Sequence, residues 1–165
     1  SKISYTIDVP PNAKGGYYGV LFVEPQNEGP DGVQKGVRII TRVGSLFFVE
    51  TGDRSKTASL ENVSVSGGVL KARLRNTGDV ILLPQSSYYI MDRDGLAADR
   101  GELKKYFLPP GESADLQLPL SKDLAPGNDY TLVLTFDFED GDVLVKEIDI
   151  TKNSDIEYAL KTIRD

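Results

Sequence analysis

The chain has no histidine, no cysteine and no tryptophan. Without imidazole it lacks the usual general base near neutral pH, and without thiols it lacks the commonest covalent nucleophile and the soft ligands of transition metals. It has no disulfide, and zero cysteine is compatible with both oxidising and reducing compartments. A strong positive charge is missing too: 19 Lys+Arg stand against 25 Asp+Glu, a formal net charge of -6. That balance gives no footprint for nucleic acid or anionic lipid. Apolar runs such as those at residues 80–83 and 45–49 are far too short to span a bilayer, and no charged-then-apolar leader opens the sequence. Ser1-Lys2 leads straight into the alternating Ile3-Ser4-Tyr5-Thr6-Ile7-Asp8-Val9, which reads as a strand and as a start within something larger.

What is present is mostly period-2 alternation. The polar stretch Asp53-Arg54-Ser55-Lys56-Thr57 divides two kinds of β segment and reads as a linker. Beyond it, Gly67-Gly68 turns into Val69-Leu70-Lys71-Ala72-Arg73-Leu74-Arg75, where Leu70, Ala72 and Leu74 share one face and the cations the other. Further strands are expected at 80–83, 86–91, 103–108, 114–120, 130–138 and 143–150, with Pro84 marking a bend or edge. About seven strands over residues 58–151 predict an all-β fold with a complete immunoglobulin-like antiparallel sandwich. Tyr130, after Pro126-Gly127-Asn128-Asp129, is either a corner tyrosine bonded back to its turn or a buried edge aromatic.

Residues 1–53 supply only about three strands, at 3–9, 16–24 and 36–50, an incomplete sheet that reads as the remnant of a preceding immunoglobulin-like domain. The run Tyr17-Tyr18-Gly19-Val20-Leu21-Phe22-Val23 has the pattern of a strand covered on both faces. In the third strand Val37, Ile39, Val43, Phe47 and Val49 fall on one side, with Arg38, Ile40, Arg42, Leu46 and Phe48 on the other. A sheet this small is marginal alone, so it packs on the sandwich, pairs with a second copy as a homodimer, or needs further strands. At the other end Ser154-Asp155-Ile156-Glu157 has the form of a capping box, and Ile156, Leu160 and Ile163 sit at i, i+4 and i+7. This predicts a helix over 153–165, docked on the fold or serving as a handle for a partner.

Gly16 to Pro25 and Gly36 to Phe48 resemble the last two strands of the first domain of PapD-like periplasmic pilus chaperones. The order of Gly68-Val69-Leu70, Asn76-Thr77-Gly78, Leu108-Pro109-Pro110-Gly111-Glu112-Ser113 and Tyr130 is similar to that of their second domain. The resemblance implies a non-catalytic, chaperone-like assembly factor of the bacterial periplasm or exterior. It would bind a protein partner by β-strand addition, with Ile40, Leu46 and Phe48 as the apolar positions of the working strand. The competing reading packs those three side chains on the neighbouring sandwich. Where the family's strand has a lysine, this one has Ser45, so the implied capture of a partner's terminal carboxylate loses a charge-assisted bond. A second function, from another class, is a structural or adhesive module of a larger surface protein.

Catalytic residues, cofactors and metals are not expected. Asp137, Glu139, Asp140 and Asp142 gather at one turn and Asp92, Asp94 and Asp99 at another, but neither forms a full calcium loop. No phosphate-cradling or nucleophile motif is present.

Overall fold

In the computed structural model, which describes residues 2–24 and 41–165, every regular element is a strand. These are β1 (Gly16–Val23), β2 (Val43–Glu50), β3 (Ala58–Ser66), β4 (Val69–Asn76), β5 (Gln85–Met91), β6 (Ala97–Glu102), β7 (Ser113–Pro119), β8 (Asp129–Asp137), β9 (Val143–Lys152) and β10 (Tyr158–Arg164). The chain divides into two compact units, Ser1–Asp53 and Arg54–Asp165.

The larger unit contains two open antiparallel sheets. One has the order β10-β9-β8-β5-β6 and the other β3-β4-β7. Alternation places Leu70, Ala72 and Leu74 of β4 inside, and Tyr130, Leu132, Leu134 and Phe136 of β8 inside. With Leu116 and Leu118 of β7 and Ile148 and Ile150 of β9 they form one buried cluster. Each fully buried side chain of this size contributes roughly 1.5–3 kcal/mol, and this cluster is what holds the unit together.

Buried polar groups tie the connections to that core. Asn76 is fully buried; its Nδ2 donates to the carbonyls of Val80 (2.7 Å) and Leu108 (2.8 Å), and its Oδ1 accepts from Gly78 N at 2.9 Å. Lys152 is equally buried, with Nζ donating to the carbonyls of Lys122 (2.7 Å) and Leu124 (2.6 Å). The Tyr130 hydroxyl does bond back, accepting from Ala125 N at 2.9 Å and donating to Ala125 O at 3.3 Å.

Several expectations are overturned. The seven-stranded immunoglobulin-like sandwich with a C-terminal helix is replaced by open sheets of five and three strands, with no closed sandwich and no helix among the described residues. Residues 80–83 and 103–108 were expected as full strands but contribute the single bridge Leu82↔Leu108, because Pro84 ends one segment and the other leaves the ladder after Leu103. Ala97–Glu102, with few β-formers, is a strand instead; the Asp92 carboxylate accepts from Asp94 N and Leu96 N and folds the chain back along β5.

The helix expected over 153–165 is β10. Tyr158 is buried and Leu160 half-buried against the core, whereas Ile156 is exposed in the β9–β10 turn. Pairing along the edge of β9, from Tyr158↔Lys152 to Arg164↔Glu147, satisfies the backbone and buries Tyr158, which outweighs a local helical pattern. Residues 3–9, expected as a strand, have no ladder partner among the described residues and are exposed.

Candidate functional site

The smaller unit is built on a two-stranded ribbon, β1 paired antiparallel with β2 from Gly16↔Glu50 to Val23↔Val43. Its base is fixed by Gly15 N donating to Asp53 O (2.8 Å), Thr51 N donating to Gly15 O (3.0 Å), and the buried Thr51 hydroxyl donating to the carbonyls of Gly15 and Asp53. A Lys14–Asp53 ion pair at 2.7 Å lies beside it.

Directly paired residues project to the same side, so the register defines two faces. One carries the pairs Tyr18–Phe48, Val20–Leu46 and Phe22–Gly44, and the other Tyr17–Val49, Gly19–Phe47, Leu21–Ser45 and Val23–Val43. Leu46 and Phe48 therefore share a face, with Leu46 64% and Phe48 52% exposed. Tyr18 meets Phe48 edge-on with ring centroids 5.7 Å apart. The ring of Phe22 lies over Gly44, where a Cβ would come within 2.9 Å of it. The Arg42 guanidinium sits 5.2 Å from the Phe22 ring and pairs with Glu24. On the opposite face Tyr5 packs edge-on against Phe47 at 4.7 Å.

Of the three positions read from sequence as the working strand, Leu46 and Phe48 are brought together, and Ile40 lies outside the described residues. Their neighbours Tyr18, Val20 and Phe22 belong to the same face, which the sequence alone does not single out. The apolar run of β1 is visible in the sequence, but only the register sets its even-numbered residues beside Leu46 and Phe48. The run in β1, expected to be covered on both faces, is instead exposed along most of its length.

In the larger unit several acidic residues have local partners. Asp129 accepts from Lys161 (2.7 Å), Thr151 (2.6 Å) and Arg93 (3.1 Å), and the Lys161 and Thr151 bonds hold its pKa down at about 2. Asp140 is held low by Lys56 and Arg54, and Asp149 by Arg164 and Thr131. Burial pushes the Tyr88 hydroxyl up, with Asp99 adding to the effect. Asp92 and Asp137 accept backbone N–H groups inside their own turns. No three His, Cys, Asp or Glu side chains converge on a metal-sized site among the described residues. Comparison with protein-family models and with curated proteins gives no match for this chain.

Proposed function

We propose that this chain is a non-catalytic protein-binding module that engages partners by β-strand pairing at the ribbon β1–β2, in the manner of a chaperone-like assembly factor of the bacterial periplasm or exterior. The observation that carries the reading is that, among the described residues, the ribbon has two strands with large apolar side chains exposed on both faces. A two-stranded ribbon is at best marginally stable in water, and an added strand supplies both a ladder and a cover for apolar side chains. Tyr18, Val20, Phe22, Leu46 and Phe48 form the receiving face, and alternate apolar side chains of the incoming strand lie along it. The absence of histidine and cysteine from the sequence agrees with a role in binding.

The test uses the full chain and fluorescently labelled extended peptides with alternating apolar residues, taken from the terminal strands of candidate partners. Saturable binding is expected, weakened at least about tenfold by the double change Leu46→Ser with Phe48→Ser, since two large contacts are lost. Binding that survives the double change refutes the site. A self-associating chain that becomes monomeric in the double variant assigns the ribbon to a homodimer and replaces strand capture from a partner.

A further inference from the structure

The larger unit holds a second feature, independent of the ribbon. Two chain segments are pinned together at Leu82↔Leu108, by reciprocal hydrogen bonds of 2.9 and 3.0 Å, and again where Leu103 N donates to Ser86 O at 2.9 Å. Between these pins residues 83–85 and 104–107 diverge, and a cleft of about 810 Å³ opens beside the end of β8. That volume falls in the range of small-molecule sites, roughly 300–1,000 Å³.

The floor is set by register. Ser87 of β5 lies between Glu102 of β6 and Thr135 of β8, and Gln85 lies opposite Asp137. Tyr106 lines the wall. The side chains of Gln85, Ser87, Thr135 and Tyr106 make no hydrogen bond to any described residue. Tyr106 is the most telling, because it is only 6% exposed and its hydroxyl, though unpartnered, is not sealed from solvent. A tyrosine this buried usually spends its hydroxyl on a partner; here it has none among the described residues, and the residue lines the cleft.

We propose that this cleft binds a neutral saccharide. Three hydroxyls and an amide, each able to donate and accept, complement sugar hydroxyls, which do the same. Leu83, 60% exposed at the cleft, offers an apolar surface for the C–H face of a ring. Glu102, Asp137 and Glu139 outnumber Lys105, so anions are disfavoured. An extended peptide does not fit, because β5 already pairs on both sides and presents no free edge there.

The experiment is a titration of the ¹⁵N-labelled full chain with glucose, galactose, mannose, N-acetylglucosamine, maltose and cellobiose, followed by amide shifts. At least one sugar is expected to move resonances within 83–87, 102–106 and 135–139. Tyr106→Phe, which keeps the ring, and Thr135→Val should each weaken that sugar about 3- to 10-fold. Inorganic phosphate and glucuronate should bind more weakly than the neutral sugar. Silence with every sugar, shifts confined elsewhere, equal binding of the anions, or unchanged affinity in both variants overturns the proposal. If Tyr106→Phe does not fold, by thermal unfolding, Ser87→Ala takes its place with the same expected loss.

Discussion

The buried Nζ of Lys152 donates to the carbonyl oxygen of Leu124 at 2.6 Å. It lies 5.7 Å from the Tyr158 ring, and the Tyr158 hydroxyl in turn donates to Ser121 O at 2.7 Å. The end of β9 and the start of β10 are thereby fastened to the 121–124 connection. Lys152→Ala opens a cavity and leaves the buried Leu124 carbonyl and the part-buried Lys122 carbonyl without their donor, so a loss of about 2–5 kcal/mol is expected in denaturant unfolding. Lys152→Met keeps most of the volume and should lose less. Equal midpoints for Ala and Met would show that volume is irrelevant and the bonds are everything.

Asn76 and Gly78 act together at the next corner. Asn76→Ala leaves the carbonyls of Val80 and Leu108 without their donor and should cost about 2–4 kcal/mol. A Cβ on Gly78 would lie 2.1 Å from the Ser55 carbonyl oxygen, which is backbone and cannot swing aside. Gly78→Ala should therefore destabilise by about 1–3 kcal/mol, whereas Gly52→Ala, with no neighbouring atom within 4 Å of its Cβ, should be near neutral. Matching unfolding midpoints for the two alanine variants would contradict the close approach.

These corners also show what was legible in the sequence. The alternation of Leu70, Ala72 and Leu74 was readable because a half-buried strand writes its burial directly into a period of two. The shared face of Leu46 and Phe48 was readable from strand geometry alone, because residues two apart project to the same side. β10 was not, because a capping-box pattern and an i, i+4, i+7 spacing are local, while the edge of β9 that captures Tyr158 is a tertiary fact. β6 was hidden by its composition, since its pairing follows from the Asp92 turn rather than from its own side chains. The cleft was invisible in a stronger sense: Ser87, Tyr106 and Thr135 are far apart in sequence and meet only through register and a splayed connection.

β10 is held on its outer side by cross-strand ion pairs. Arg164 pairs with Glu147 and Asp149 of β9, and Lys161 reaches Asp129 of β8. Exposed pairs are individually weak, so removing them should loosen the edge strand without unfolding the core. Lys161→Ala with Arg164→Ala should speed amide exchange in β10 while leaving the central β8 unchanged. Faster exchange in both strands alike would mean that β10 opens only with the whole unit.

Acid should act on the same edge and on the turn between β8 and β9. Asp129, Asp140 and Asp149 all have folded-state pKa values below their ordinary range, Asp129 at about 2 against 3.8. A depressed carboxylate binds its proton more readily in the unfolded chain, so its contribution is fully present above the unfolded value and is lost as pH falls through the folded one. Stability should thus be flat in these groups near neutrality and fall between about pH 4 and pH 2. Asp129→Asn keeps the shape but removes the charge that Lys161, Thr151 and Arg93 address. The variant should be less stable than the parent at pH 6 and should converge toward it near pH 2, as read by urea midpoints across the range. A constant gap between the two at every pH would show that the Asp129 charge contributes nothing and that its hydrogen bonds alone matter.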